Sequence, residues 1–203
     1  VASGEKEITG SRFALSETEA AGFFRFLEYL SGRDSAAVAV KAQITGPFTF
    51  ATGVVDQEGR ALFYDDQLRD IAVKQIAMKA RWQAEQLGSK GAQAIVFFDE
   101  PGLASFGTSA FISISKEQIN EALTEAVDGV HAADGLAGVH ICANADWSLA
   151  LESNVDIISF DAYSFFDKFI LYPDLIKAFI HKGGILAWGI IPTSDPQDIE
   201  RET

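Results

Sequence analysis

Residues 94–101 read Ala-Ile-Val-Phe-Phe-Asp-Glu-Pro, a short apolar run that ends in two acids and a proline. The apolar part, 94–98, has the length of one β-strand and shows no alternation with polar residues. Such a strand has both faces covered, which is typical of a parallel sheet. The segment therefore predicts a buried parallel strand that carries Asp99 and Glu100 at its carboxyl end.

Helices are predicted on both sides of this strand. Apolar residues recur at helical spacing over residues 65–87, with aspartates at the start and Gly88 suited to the position after the end. Beyond the strand, Ser115 and Gln118 have the spacing of a capping box, and an apolar stripe follows them. The segment from 65 to about 130 is therefore predicted to fold as helix, strand and helix.

The same alternation extends over the rest of the chain. Further strands are predicted at residues 38–44, 138–142, 155–160 and 185–191, and further helices at 16–32, at about 146–153, from Pro173 to Gly183, and from Ser194 onward. Alternating strands and helices require parallel crossovers, which leaves two architectures: an open doubly wound sheet or a (β/α)8 TIM barrel.

The strand ends favour the barrel. No glycine-rich phosphate-binding turn follows any predicted strand, and Thr45, Asp99, Cys142 and Asp161 end four of them. A barrel gathers its active site at this rim. We expect an α/β fold and one barrel domain over residues 1–203, truncated at both ends, with about five of the β/α units.

Composition excludes several classes of partner. The chain has 16 Lys and Arg against 29 Asp and Glu, a formal net charge of −13, which disfavours nucleic acid and anionic membrane surfaces. The single cysteine, Cys142, cannot form an internal disulfide, and the sequence shows no signal peptide or long apolar run. We expect a cytoplasmic protein.

His140 and Cys142 lie two residues apart at a predicted strand end, so their side chains share one side of the strand. Imidazole and thiolate are zinc ligands. Asp161 ends the next strand, and since neighbouring strands lie about 5 Å apart, it could supply a third ligand. The alternative is that Cys142 is a small buried apolar residue and that His140 has no special role.

Asp99 and Glu100 form a second candidate site, because Pro101 biases Glu100 toward extended backbone. One carboxylate then faces the rim while the other faces out, and the pair could bind a substrate ammonium group or act as acid and base. Thr45, just before the Gly46-Pro47 turn, is the third expected substrate-binding residue. The alternatives are a solvated loop start or a salt bridge for the two acids, and turn chemistry with core packing for the segment around Thr45.

Three segments, at 41–50, 98–101 and 139–144, resemble in order and spacing the catalytic barrel of cobalamin-independent methionine synthase and its relatives in the uroporphyrinogen decarboxylase superfamily. The resemblance covers residues 38–193. It implies that His140 and Cys142 bind a catalytic zinc, that Asp161 is the acidic ligand, and that Asp99 binds the amino group of a thiol substrate. Asp161 stands where the synthase has Glu, and the second zinc-binding Cys of the family is missing from this sequence.

The resemblance therefore implies a zinc-dependent methyltransferase that methylates a thiol such as homocysteine. The methyl donor stays open between methyltetrahydrofolate and methylcobalamin, because residues 140–144 also resemble corrinoid-dependent methyltransferases. One alternative is a binding module for a corrinoid protein. Another is a metal-free decarboxylase-like enzyme, whose carboxylate-rich substrate would need several Arg or Lys residues. Lys41 is one of few such cations near the strand ends. The aromatic residues between 160 and 172 are expected to pack together or to form a contact in a homo-oligomer.

Overall fold

Five strands form one parallel sheet in the computed structural model of the chain, which describes residues 10–32, 37–111, 113–192 and 197. The strands are β1 (Ala39–Thr45), β2 (Gln93–Asp99), β3 (Leu136–Ile141), β4 (Ile157–Phe160) and β5 (Ile185–Trp188). The helices are α1 (Glu17–Ser31), α2 (Pro47–Gly53), α3 (Asp66–Gly88), α4 (Lys116–His131), α5 (Ser148–Leu151), α6 (Ala162–Phe169) and α7 (Pro173–His181). The α/β class and the parallel sheet are confirmed.

The strands lie side by side in chain order, β1-β2-β3-β4-β5, and every neighbouring pair is parallel. A doubly wound sheet reverses its strand order at a switch point, and the described strands show no such reversal. Their carboxyl ends consequently lie along one edge in the order of the sequence.

The two faces of the sheet differ in burial. On one face, apolar side chains such as Val96, Val139 and Ile158 are fully buried in the main core, where α3 packs on β1 and β2 and α4 packs on β3. The alternate residues make up what we call the open face, which carries the exposed Lys41 and Gln43 of β1. One face is thus apolar core and the other presents polar groups.

Helix starts follow the predicted capping signals. Ser16 and Ser115 each form a complete capping box, with Glu19 and Gln118 respectively, as predicted. The Asp65 carboxylate caps α3 by accepting hydrogen bonds from two backbone N–H groups of its first turn. These bonds satisfy donors that have no partner within the helix.

Two helices differ from expectation. Where the sequence predicts a turn at Gly46-Pro47, Pro47–Gly53 form α2, with Pro47 at its first position, where a missing N–H costs nothing. Helix α6 was not predicted and begins directly after Asp161, which caps it. The predicted helix from Ser194 falls outside the described residues, apart from Gln197.

The aromatic residues after β4 form a packed cluster. Phe160 and Phe169 are fully buried, stack with centroids 4.3 Å apart, and both contact Trp147 edge-on. This supports packing for the buried members, whereas Phe166 and Trp188 stay about half exposed beside them. None of the helices in the described ranges combines the length and the apolar character of a membrane span.

Candidate functional site

One row of polar residues crosses the open face near the carboxyl edge of the sheet. The strand register pairs Thr45 with Asp99, Asp99 with His140, and His140 with Ser159. Residues paired in this way lie about 5 Å apart along the sheet, with side chains on the same face. Three of the predicted site residues therefore lie in one row, together with Ser159, which was not predicted.

His140 is held by a contact with its neighbour in this row. Its ring Nδ1 lies 3.1 Å from the Ser159 hydroxyl oxygen, within hydrogen-bond distance, and both residues are partly buried. A neutral imidazole carries one N–H and one lone pair, so the role of Nδ1 in this bond determines what Nε2 can do.

His140, Cys142, Ser159 and Asp161 line one cleft of about 440 Å³ at the ends of β3 and β4. Tyr163, Ser164 and Gly189 also contribute to its wall. Cys142 follows the last residue of β3 and is exposed as a free thiol. The alternative of a buried apolar cysteine is thereby wrong, and the sulfur is accessible to a ligand.

Asp161 lies at the end of β4 and caps α6. Its Oδ1 accepts a hydrogen bond of 3.0 Å from the backbone N–H of Ser164. This explains why the chain can turn directly from strand to helix at this point. The same carboxylate lines the cleft beside His140 and Cys142, so the cap holds it at the site.

The donor types in the cleft fit zinc, since an imidazole nitrogen, a thiolate and a carboxylate are its usual ligands. Within the described ranges, however, no three His, Cys, Asp or Glu side chains come together in a group that could hold a metal ion. The cleft thus offers suitable ligands without a closed three-ligand geometry.

Backbone hydrogen bonds fix the loops at the ends of β1, β2 and β3 to one another. The N–H of Gly46 donates to the carbonyl of Asp99 at 2.8 Å, and the N–H of Glu100 donates to the carbonyl of His140 at 2.9 Å. These bonds continue the sheet ladder by one residue beyond the strands. They hold the polar row in register at its carboxyl edge.

Glu100 is placed differently from its neighbour Asp99. Its side chain is fully buried, and its carboxylate accepts hydrogen bonds from the backbone N–H groups of Phe48 and Thr49 at 2.9 and 2.8 Å. The Thr49 hydroxyl donates a third bond of 2.6 Å. A side chain on Gly46 would overlap the Glu100 side chain, with a Cβ 2.3 Å from the carboxyl carbon. We call Gly46, Phe48, Thr49 and Glu100 the Glu100 clamp.

The clamp gives Glu100 a positioning role in this structure. Burial raises the pKa of Glu100 to about 7, while the hydrogen bonds from Thr49 and Phe48 act in the opposite direction. The carboxylate is buried against α2 and lies outside the residues that line the cleft. Neither a solvated loop start nor a salt bridge describes it, whereas Asp99 is partly buried and Thr45 is exposed.

A second polar cluster anchors the loop that follows Cys142. The Asp146 carboxylate forms an ion pair of 2.6 Å with Lys116 and accepts a 2.6 Å hydrogen bond from the Ser148 hydroxyl. Partial burial would raise the pKa of Asp146, but the hydrogen bonds from Lys116 and Ser148 outweigh it and hold that pKa below its usual value. Trp147, between these residues, is fully buried.

Sequence reasoning missed Ser159 and Asp146. The signal for Ser159 was present, because it lies two residues before Asp161 on the same strand and so shares its face. Asp146 gave no local signal for its ion pair, since its partner Lys116 lies on α4, 30 residues earlier.

No protein-family model matches the chain. A search of curated proteins likewise found no significant match.

Proposed function

We propose that the sheet is part of a (β/α)8 barrel whose lumen is lined by the open face. Two observations on the described residues support this architecture: their strands follow chain order without reversal, and their helix-covered apolar core lies on one face of the sheet. A barrel places polar residues at the carboxyl ends of its strands, which is where the row and the cleft lie.

We propose further that the protein is a zinc-dependent methyltransferase that acts on a thiol such as homocysteine. One observation carries this proposal: His140, Cys142 and Asp161 line a single cleft at the ends of neighbouring parallel strands. In this function His140 and Cys142 hold the metal and Asp161 is the third ligand. When bound, zinc lowers the pKa of a coordinated thiol and so supplies a thiolate at neutral pH.

The polar row binds and orients the substrate in this proposal. Asp99 lies beside His140 in the register, and its carboxylate attracts the ammonium group of an aminothiol. Thr45, next to Asp99, offers a hydroxyl that can donate to the substrate carboxylate or accept from its ammonium group. The Glu100 clamp keeps the loop after Thr45 in place.

In methyl transfer, a sulfur lone pair of the thiolate forms the new bond to the methyl carbon. The bond between that carbon and the donor breaks, and its electron pair stays on the donor, while the thiol proton is lost before the transfer. With methyltetrahydrofolate, the departing nitrogen takes up one proton, which balances the proton lost from the thiol. With methylcobalamin bound to a separate corrinoid protein, the electron pair reduces the cobalt from Co(III) to Co(I), and the thiol proton goes to solvent. We place this reaction in the cytoplasm, where a single free thiol stays reduced.

Zinc content tests the proposal directly. The protein, Cys142→Ala and the control Ser164→Ala, which alters the same cleft, are purified without chelator and analysed for metal. We expect about one zinc per chain in the protein and the control, and loss of zinc in Cys142→Ala, because a catalytic site has few protein ligands. Absence of zinc from the protein, or equal zinc in all three, would contradict the proposal.

Substrate binding tests the separate role of Asp99. Asp99→Ala should keep its zinc and bind homocysteine about ten-fold or more weakly in calorimetry, since a lost charge-assisted contact costs about 1.5–3 kcal/mol. Zinc loss in Asp99→Ala would refute this division of roles. Tight binding of a tetrapyrrole by the protein, weakened in Lys41→Ala, would instead favour a decarboxylase-like enzyme.

A further inference from the structure

The contact between His140 and Ser159 is fixed by the sheet itself. The two residues are register partners on β3 and β4, so the hydrogen-bond ladder sets the separation of their backbones. Their side chains lie on the same face, with Nδ1 and Oγ 3.1 Å apart. A contact between two strands is held more rigidly than one between surface loops, which suits a group that must aim a ligand.

The serine hydroxyl can accept a hydrogen bond from Nδ1–H or donate one to an unprotonated Nδ1. In the first case the lone pair stays on Nε2, and in the second Nε2 carries the proton. A histidine binds a metal through a nitrogen that has a lone pair. Only the first arrangement leaves Nε2 able to bind a metal while Nδ1 stays bonded to Ser159.

We infer that Ser159 is a positioning residue that accepts a hydrogen bond from Nδ1–H of His140 and thereby directs the Nε2 lone pair toward a metal in the cleft. The inference rests on the proposed function, because the lone pair at Nε2 is important when His140 is a metal ligand. The hydroxyl fixes both the tautomer and the orientation of the ring.

The tautomer can be measured without any metal. Long-range ¹H–¹⁵N correlation spectra of the metal-free, histidine-labelled protein at alkaline pH distinguish an Nδ1–H ring from an Nε2–H ring. His140 is one of 3 histidines, and its signals are assigned by their loss in His140→Gln. We expect the Nδ1–H form in the protein, in Ser159→Thr, which keeps the hydroxyl, and in the control Ser164→Ala.

Ser159→Ala removes the acceptor, and we expect its spectra to shift toward the Nε2–H form. Its zinc affinity should fall about 10–100-fold, as for other residues that orient a metal-binding histidine, while Ser159→Thr retains most of the affinity. A Nε2–H ring in the unaltered protein, or the same tautomer in Ser159→Ala, would overturn the inference.

The two proposals can fail separately. If the protein binds no zinc but shows the Nδ1–H tautomer and loses it in Ser159→Ala, the proposed function is refuted and the positioning role of Ser159 stands. If the protein binds zinc with equal affinity in Ser159→Ala and Ser159→Thr, the positioning role is refuted and the proposed function stands.

Discussion

Polar residues lie at the ends of both β2 and β4, but their surroundings differ between the Glu100 clamp and the cleft. In the clamp, the carboxylate of Glu100 is fully buried and accepts three hydrogen bonds from Phe48 and Thr49. In the cleft, Cys142 is exposed and Asp161 is partly buried. A buried carboxyl group whose oxygens are hydrogen-bonded holds a loop in position, whereas accessible donors can bind a ligand.

The largest predicted change in stability comes from a substitution at Gly46, in the Glu100 clamp. Gly46→Ala would place a Cβ 2.3–2.4 Å from the buried Glu100 side chain, which cannot move without losing its hydrogen bonds. We expect the free energy of unfolding to fall by about 2–3 kcal/mol, as for other overpacked sites, in urea denaturation. Gly53→Ala is the control, because a Cβ there meets no atom within 4 Å. Equal effects of the two substitutions would show that the clamp is loosely packed.

The pH dependence of stability is the next effect in size. Burial raises the pKa of Glu100 from 4.5 to about 7 in the folded chain. Between these values the unfolded chain loses its proton while the folded chain keeps it, so deprotonation favours unfolding as the pH rises. The contribution of Glu100 to stability is therefore greatest below pH 4.5 and is lost by about pH 7.

Glu100→Gln isolates this contribution, since an amide does not titrate. We expect the difference in free energy of unfolding between the protein and Glu100→Gln to change by roughly 1–3 kcal/mol over that range, because one pKa unit corresponds to about 1.4 kcal/mol. Urea denaturation at a series of pH values measures it, with the exposed Glu121→Gln as control. A difference that does not vary with pH would show that Glu100 ionises like a solvated carboxylate.

The smallest predicted change in stability is in the cleft. It tests whether Asp161 is a metal ligand as well as a helix cap. Asp161→Ala removes the cap of α6 and should lower the free energy of unfolding by about 1 kcal/mol. Asp161→Asn keeps an acceptor for the Ser164 N–H, so its stability should stay within about 0.5 kcal/mol of the protein. Zinc binding that weakens in Asp161→Asn at unchanged stability would separate a ligand role from the cap, and unchanged zinc binding would leave Asp161 as a cap only.

Much of the fold was predictable because its signals are local. The apolar run 94–98, the capping pairs at Ser16 and Ser115, and the apolar spacing over 65–87 each reflect the period of one element. The helix α2 was missed because Gly46-Pro47 and two phenylalanines resemble a turn with packing residues. The backbone N–H groups at its start donate to Glu100, 52 residues after Phe48, and no local pattern reveals such a contact.

By itself, the sequence determined that polar residues gather at one edge of a parallel sheet, because strands that alternate with helices run in one direction and share their carboxyl ends. It also determined that Asp99 and Glu100 lie on opposite faces, since a strand has a period of two. Only the tertiary structure decided that Glu100 is buried against α2 while Asp99 joins the row with His140. Which of the two acids is buried depends on which face of the sheet the helices cover, and packing between distant segments determines that face.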